Sequence, residues 1–197
     1  YLAMAGDTDA TMSAEIRFVR ALHYFLLMDG WGNIPFTLEP MTKPEQRSRA
    51  QMYEWLEQEL IGIEPALSEA KAKKSTDAGY GRVDKAACWL LLSRLYLNSE
   101  IYTGTAQWQK AKEYADKVIK SSYRLNTVGK GGWTAYQMLF MGDNGETDAA
   151  YEALLPLLQD GLTTTSWGTS LFLIAGCFDG EMHANPNDLT ATNGVSA

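Results

Sequence analysis

The sequence has few cysteines and histidines, and it has no long apolar run. Its 197 residues include two cysteines, Cys88 and Cys177, which excludes a small secreted fold held together by many disulfides. Two histidines, His23 and His183, leave little for a histidine-based metal site or a catalytic triad. No apolar stretch reaches the roughly 18 residues that a membrane-spanning helix needs. These shortages exclude several classes of protein and favour no single function.

The sequence also has fewer basic than acidic residues. Lys and Arg number 17 against 24 Asp and Glu, which gives a formal net charge of −7 and an isoelectric point near 4.9. An acidic chain without basic clusters is a poor match for nucleic acid, because affinity for nucleic acid comes mostly from neutralising phosphates. Hydrophobic residues make up 46% and charged residues 21%, which is ordinary for one large globular domain or two small ones.

The sequence contains none of the common catalytic or cofactor motifs. It has no CxxC, HExxH or GxGxxG pattern and no serine in a GxSxG turn. Glu57 with Glu59, or Asp143 with Glu146, would be the carboxylate pairs to consider for glycoside hydrolysis. Nothing in the sequence places either pair face to face, so we interpret them as solvated acidic surface. We therefore predict no catalytic residue, no metal site and no cofactor.

His23 and Cys88 both lie within apolar helical patterns. We interpret His23 as a hydrogen-bonded core histidine. We interpret Cys88 as a small core residue. A disulfide between Cys88 and Cys177 is the alternative in an oxidising compartment.

Four helical patterns occupy most of residues 13–122. The first is predicted from Ser13 to Asp29, with Gly30 as its cap, and its second half is apolar almost all round, which predicts burial on most sides. The second begins at a capping box formed by Ser48 and Gln51. Its apolar residues recur at helical spacing: Met52, Leu56, Leu60, Ile63 and Leu67.

The third and fourth helical patterns predict a hairpin. Large and small apolar residues alternate along both, and the small alanines of the fourth would let the two helices approach closely. Trp108 and Ala115 are expected to pack against the third helix. The pair resembles a tetratricopeptide unit, which needs neighbouring pairs to bury its faces. The predicted fold is therefore mainly α, with tetratricopeptide-like helical hairpins, irregular loops and a few short strands.

The pattern changes after residue 122. A short amphipathic helix and a turn are predicted over residues 133–144, and two apolar runs follow at 153–161 and 169–178. The runs have the length of strands, but helix and loop stay open because their periodicity does not decide. Both ends of the chain lack the signals of a natural start or stop, which predicts a piece of a longer protein.

Aromatic residues offer the clearest functional signal, since an exposed ring can stack on the apolar face of a sugar. They make up 11% of the chain. Trp167 is flanked by small polar residues, and Trp133 follows a pair of glycines, with Tyr136 three residues further on. We predict Trp167, Trp133 and Tyr136 as candidate glycan-binding residues. Trp31 is interpreted as packing at the end of the first helix.

Five motifs occur in order over about residues 13–176: AEIRFVRALHYFLLMDGWGNIPF, RSRAQMYEWLEQELIGIEPAL, YGRVDKAACWLLLSRLYLNSEIYTGTAQWQKAKEYADKVIKSSYRL, LFMGDN and LLPLLQDG. Their order and spacing resemble the SusD family, also called RagB/SusD. These are cell-surface glycan-binding lipoproteins of gram-negative, glycan-utilising bacteria. The pairing of LFMGDN with LPLLQDG, and a later TNG, are similar to the starch-binding prototype of that family.

The resemblance implies helix pairs of tetratricopeptide type with loops packed on one side, and no catalysis. It implies binding of a starch-like oligosaccharide or polysaccharide outside the cell. It also implies delivery of the glycan to a SusC-like, TonB-dependent outer-membrane transporter. The membrane attachment would be a lipid anchor on an N-terminal cysteine that this chain does not contain, and much of the family's glycan site would come from other segments.

The same resemblance organises the chain as a single partial domain over residues 1–197, incomplete at both ends. Residues 13–122 would form the helical-repeat scaffold and residues 123–197 a loop-rich segment. Within the motifs, a packing role fits Arg17, Trp31, Gly32, Pro35, Gly81, Arg82, Ala87, Leu95, Trp108, Ala111 and Ala115. A helical-repeat adaptor for a protein partner is the alternative function, and a glycoside hydrolase is a second alternative.

Overall fold

The fold is mainly α, as predicted. The structure is a computed structural model, and it describes residues 9–158. The chain divides into two compact units, residues 1–156 and residues 157–197, and the first unit holds all the elements below. The helices are α1 (Ala10–Trp31), α2 (Arg49–Ile63), α3 (Lys85–Leu97), α4 (Ser99–Thr103), α5 (Trp108–Ile119) and α6 (Ala135–Met138). A single antiparallel pair, β1 (Ile34–Phe36) with β2 (Glu45–Arg47), is the sheet of the described residues.

Helix α1 is longer than predicted at both ends. Asp9 caps its start, because an Asp9 carboxylate oxygen accepts a hydrogen bond from the Met12 amide at 3.0 Å. The prediction of Gly30 as its cap was wrong, since Gly30 lies inside the helix and Gly32 ends it with a φ of +79°. Two more residues of helix therefore carry the chain to Trp31 before it turns.

One side of α1 is buried and much of the rest is exposed. Its core residues follow helical spacing: Ala14, Phe18, Ala21, Phe25 and Met28. The expected burial on most sides was wrong, because the side chains of Val19, Leu26 and Leu27 are exposed. An all-apolar helix surface does not reveal which side its neighbours will cover, and here α2 and α3 cover only part of it.

Helix α2 forms as its sequence predicts. The Ser48 hydroxyl accepts from the Gln51 amide, and the Gln51 side chain accepts from the Ser48 amide at 2.9 Å, which completes the capping box. All five residues of its predicted apolar stripe are buried. The helix ends at Ile63, where a 3₁₀ turn containing Pro65 replaces it.

Helices α3 and α5 pack against each other, which confirms the predicted hairpin. The Ser93 hydroxyl donates to the Ala111 carbonyl at 2.8 Å across this interface, and Ala111 is buried. Ala115 is half-buried, but Trp108 does not fill the flank of the hairpin as expected. Trp108 starts α5 with 61% of its surface exposed, and Ala111 is the buried residue of this helix.

Asp84 connects the start of α3 to two other segments. It is buried, and its carboxylate accepts hydrogen bonds from the Ala86 amide at 2.9 Å, the Lys71 amide at 3.1 Å and the Tyr123 hydroxyl at 2.8 Å. Burial and the Asp84 carboxylate raise the pKa of Tyr123 above its ordinary value. One acidic side chain thus caps a helix and fixes two loops to it.

The β1–β2 hairpin is held against α1 and α2 by a cluster of three rings. Tyr24, Phe36 and Trp55 lie with ring centroids 4.8–5.4 Å apart. The Tyr24 hydroxyl donates to the Thr37 carbonyl at 2.7 Å and accepts from the Thr37 amide at 3.2 Å. Edge-to-face contacts of this kind fix the hairpin to the helices.

Residues 121–156 have little regular structure and attach to the helices through polar contacts. The Ser75 amide donates to the Gly145 carbonyl at 2.7 Å, and Lys74 forms an ion pair with Asp148 at 2.9 Å. Within the segment, the Arg124 amide donates to the carbonyl of Tyr151 at 3.1 Å. This segment is therefore positioned mainly by backbone and charged groups, and it adds little to the main apolar core.

Candidate functional site

Of the two carboxylate pairs considered for catalysis, Glu57 and Glu59 are used by the fold. Glu59 accepts hydrogen bonds from Arg17 at 2.6 Å and from Arg20 at 2.7 Å, on the side of α2 that meets α1. Glu57 accepts from the Tyr96 hydroxyl at 2.8 Å and from Lys110 at 3.0 Å, on the side that meets α3 and α5. The two carboxylates therefore face different neighbours. The prediction that they form solvated acidic surface was wrong, since both are structural ion-pair partners.

Burial and hydrogen bonding set the charge of Glu59. Burial alone would raise the pKa of this carboxyl, but hydrogen bonds and charge from Arg17 and Arg20 lower it below its usual value. The carboxylate therefore stays ionised at neutral pH and takes no part as a proton donor.

Cys88 and His23 do not form a reactive pair. Cys88 is a buried free thiol, as predicted for a core residue, and burial raises its pKa to about 12. Its alternative disulfide partner, Cys177, lies outside the described residues. His23 is exposed on α1, so its assignment to the core was wrong. Within residues 9–158 no cluster of acidic, histidine or cysteine side chains could hold a metal ion.

Three exposed aromatic side chains lie around α6, and we call Trp133, Tyr136 and Phe140 the aromatic patch. Their exposed fractions are 52%, 70% and 70%, respectively. Tyr136 lies within α6, Trp133 lies in the turn that precedes it, and Phe140 lies two residues beyond its end. The rings of Tyr136 and Phe140 lie 5.2 Å apart at an angle of 64°. Large apolar rings this exposed are typical of a binding surface.

A tight turn positions Trp133. Its amide donates to the Lys130 carbonyl at 3.0 Å, and the Lys130 amide donates back to the Trp133 carbonyl at 3.1 Å. The two residues between them, Gly131 and Gly132, have φ of +61° and +87°, in the left-handed region that favours glycine. Gly129 lies so close that a Cβ there would be 2.3 Å from the Trp133 carbonyl oxygen. The glycines fix the backbone that carries the indole.

Helix α6 is short and is stabilised at its start and on its inner side. The Thr134 hydroxyl accepts from the Gln137 amide, and the Gln137 side chain accepts from the Thr134 amide at 2.9 Å. The Asn126 side chain donates to the Ala135 carbonyl at 2.8 Å, and Met138 is buried beneath the helix. These contacts leave the outward side of α6 to Tyr136 and Phe140.

Charged groups flank the aromatic patch. Lys130, before Trp133, forms an ion pair at 3.9 Å with Asp143, which follows Phe140. The Lys130 side chain is largely exposed and that of Asp143 is half-buried. The Asn144 side chain donates to the Leu139 carbonyl at 2.8 Å, which holds the turn that carries Asp143. Apolar ring faces with a cation and a carboxylate at their border can stack on a sugar ring and exchange hydrogen bonds with its hydroxyls.

Two of the three residues that the sequence predicts as binding residues are exposed and lie in or beside α6. Trp133 and Tyr136 lie within the aromatic patch, while Trp167 lies outside the described residues. Sequence reasoning missed Phe140. Its position four residues after Tyr136 was the available signal, because i and i+4 side chains are neighbours on a helix.

Two other tryptophans differ from their predicted packing roles. Trp31 is 74% exposed at the end of α1, and Trp108 is exposed at the start of α5. The packing interpretation was wrong for both residues. Like Trp133, neither has a ring contact with another described aromatic residue.

Comparison with known proteins identifies the chain's relatives, although a scan against protein-family profiles finds no match. The starch-binding protein SusD of Bacteroides thetaiotaomicron is 42% identical over 176 residues, which cover 87% of this chain and 30% of that protein. The chain belongs to the SusD-like family. This confirms the resemblance drawn from its five motifs.

Solved structures agree with the SusD-like assignment. Surface glycan-binding protein A from Bacteroides uniformis matches 64% of this chain and 29% of its own, with a TM-score of 0.52 and 30% identity. A SusD-like protein from Bacteroides fragilis matches 71% of this chain and 26% of its own, with a TM-score of 0.51 and 20% identity, and so supports the fold alone. The SusD-like chain therefore spans under a third of the length of these relatives. The two glycan-binding relatives are named as binding proteins and not as enzymes.

Proposed function

We propose that this SusD-like chain is part of a non-catalytic, cell-surface protein that binds carbohydrate. The observation that carries the proposal is the aromatic patch, three rings that are each more than half exposed around one short helix. The binding would combine stacking on these rings with hydrogen bonds from flanking polar groups. Affinity at one such site is expected to be modest, because sugar hydroxyls exchange hydrogen bonds with water for hydrogen bonds with protein at little net gain.

The proposed ligand is a starch-like malto-oligosaccharide. One support is that the relative with 42% identity, SusD, is named as a starch-binding protein. A second is the angle of 64° between the Tyr136 and Phe140 rings. A flat glycan chain presents parallel ring faces and would stack on only one of the two. A glycan that turns from one sugar to the next could contact both, and α-linked glucose chains turn in this way.

The wider setting is part of the same proposal. We propose that residues 1–197 form one partial SusD-like domain, with residues 13–122 as its scaffold and 123–197 as its loop-rich segment. The whole protein would be lipid-anchored at the outer membrane and would pass glycan to a SusC-like, TonB-dependent transporter. Within residues 9–158 no helix is long and apolar enough to cross a membrane.

The proposal is tested by native gel electrophoresis through gels that contain soluble starch. The chain should be retarded relative to a gel without starch, and the double variant Trp133→Ala, Tyr136→Ala should migrate almost freely. Loss of about 1.4 kcal/mol of binding free energy per ring would weaken binding about tenfold for each. Trp108→Ala is the matched control, since it removes an exposed indole outside the patch.

Two results would contradict the proposal. One is equal retardation of the patch variant and the wild-type chain. The other is release of reducing ends from the starch during incubation, which would support a glycoside hydrolase in place of a binding protein. Circular dichroism melts of each variant would confirm that the fold is retained.

A further inference from the structure

The aromatic patch is bordered by a cation and a carboxylate, and their arrangement bears on which glycans the patch can bind. Lys130 lies three residues before Trp133 and shares two backbone hydrogen bonds with it. Asp143 lies three residues after Phe140. The Lys130 ammonium is 3.9 Å from an Asp143 carboxylate oxygen, so the pair connects the turn before α6 to the turn after it.

The two side chains are close to each other but are not hydrogen-bonded, because 3.9 Å is too long for a hydrogen bond. Within residues 9–158, neither side chain makes a hydrogen bond with another group, and Asp143 does not cap the 3₁₀ turn that follows it. Their polar atoms are therefore available to a ligand. Lys130 can donate to a sugar hydroxyl, and Asp143 can accept from one.

The pair carries no net charge, and the segment around it is acidic. Residues 121–156 contain two basic residues, Arg124 and Lys130, and four acidic ones. Arg124 forms an ion pair with Asp148 at 3.6 Å, which leaves Lys130 as the cation beside Trp133. A carboxylate on a bound glycan would be attracted by Lys130, repelled to a similar extent by Asp143, and repelled further by the acidic segment.

An uncharged sugar is not opposed in this way. Each of its hydroxyls can both donate and accept, so one sugar can use Asp143 and Lys130 together. The carboxylate of an acidic sugar can only accept, so it would compete with Asp143 for Lys130. The pair therefore favours a neutral ligand both through its charge and through its hydrogen-bonding groups.

We infer that the Lys130–Asp143 pair makes the aromatic patch selective for uncharged glycans, and that Asp143 is the specificity-determining residue because it offsets the charge of Lys130. This selectivity rests on the proposed glycan binding of the patch, and it narrows the ligand class to neutral sugars. Removing the charge of Asp143 alone should open the patch to acidic glycans.

The selectivity is tested by calorimetric titration of the chain with two α-linked oligosaccharides of equal length, a neutral malto-oligosaccharide and an acidic oligogalacturonate. The wild type should prefer the neutral one. Asp143→Asn keeps the size of the side chain but removes its charge. Its affinity for the oligogalacturonate should rise about fivefold, which is the effect of one unit charge about 4 Å away in water. Its affinity for the malto-oligosaccharide should not rise, because a neutral acceptor replaces a charged one.

Asp116→Asn is the matched control. Asp116 pairs with Lys112 at 2.6 Å within α5, so this change removes the same charge and releases a lysine outside the patch. Its preference between the two ligands should equal that of the wild type. The double variant Asp143→Asn, Lys130→Gln removes the released cation and should lose the gain. The gain of Asp143→Asn should also disappear at about 1 M salt, where the screening length is about 3 Å.

The selectivity is overturned if Asp143→Asn keeps the wild-type preference, or if the double variant keeps the gain. An equal gain in Asp116→Asn would also overturn it, because net charge alone would then explain the effect. Each of these results leaves the proposed function standing when the wild type binds the malto-oligosaccharide. A wild type that prefers the oligogalacturonate would overturn the selectivity alone, and one that binds neither ligand would overturn the proposed function as well.

Discussion

The helical region from α1 to α5 and the segment from residue 121 to 156 are built on different principles. The helical region has a continuous apolar core, formed mainly by α1, α2 and α3, to which β1, Tyr102 and Ala111 also contribute. The later segment buries a few small clusters, such as Met138 and the Ala149–Ala150 pair, outside that core. Its conformation depends on glycine turns, a capping box and backbone hydrogen bonds to the helical region.

This difference explains where a binding surface can arise. A ring in the helical core is needed for stability and is unavailable to a ligand. A ring held on a turn costs the fold little when it is exposed, so it can be placed for binding. The difference between the helical region and the later segment can be tested by removing similar side chains from each and comparing the effects.

The largest expected effect comes from Phe25→Ala. Phe25 is fully buried in α1, and its removal should lower the free energy of unfolding by about 4 kcal/mol. Phe140→Ala removes the same side chain from the aromatic patch and should change it by less than about 0.5 kcal/mol. Urea unfolding of both variants measures the contrast. Similar losses in the two variants would show that the patch is part of the core.

The second-largest effect is expected for Asp84→Ala. This change should lower the free energy of unfolding by about 3 kcal/mol, because it removes a helix cap and leaves buried donors unpaired. Asp9→Ala is the control, as Asp9 caps α1 at an exposed position and should cost about 1 kcal/mol. Thermal melts would detect the difference. Equal costs would mean that the contacts of Asp84 to Lys71 and Tyr123 contribute nothing.

A smaller effect that depends on pH is expected for Glu59→Gln. At pH 7 the free energy of unfolding of this variant should be about 2 kcal/mol lower than that of the wild type, because Glu59 accepts charge-assisted hydrogen bonds from Arg17 and Arg20. The folded-state pKa of Glu59 is lowered, so its contribution is fully present above the unfolded value of about 4.3 and is lost as the pH falls through the folded value. The difference in free energy of unfolding between the wild type and Glu59→Gln should therefore become smaller at acidic pH. Glu54→Gln, at an exposed position on the same helix, should show no such gap at any pH.

The smallest expected effect on stability is that of Gly129→Ala. The added Cβ would lie 2.3 Å from the Trp133 carbonyl oxygen and would displace the turn that carries the indole. We expect a loss of about 1 kcal/mol in stability and clearly weaker starch binding. Gly142→Ala is the control, since no atom lies within 4 Å of its added Cβ. If both variants bind starch like the wild type, the placement of Trp133 does not matter for binding.

Much of the fold could be predicted because the sequence patterns that specify it involve residues close together in the chain. The capping box at Ser48 and the apolar stripe of α2 involve residues a few positions apart, and both were confirmed. The errors at His23, Trp31 and Trp108 share one cause. An apolar or aromatic residue on a helix is buried only if another element covers it, and sequence spacing does not show what covers it. The pairing of Arg17 with Glu59 spans 42 residues and had no local signal either.

The candidate site was predicted in part for the same reason. The glycine pair before Trp133 marked a turn, and a ring beside a turn is often exposed, so Trp133 and Tyr136 could be predicted. Phe140 lies within a family motif, and its outward orientation depends on Met138 taking the buried side of α6.

The most direct test of the account is calorimetric titration of maltoheptaose into three proteins: the wild-type chain, a patch variant and a helical-region variant. The patch variant combines Trp133→Ala, Tyr136→Ala and Phe140→Ala, and the helical-region variant combines Trp31→Ala with Trp108→Ala. We expect binding heat from the wild type and the helical-region variant, and none from the patch variant. Undiminished heat from the patch variant, or heat lost only in the helical-region variant, would contradict the account.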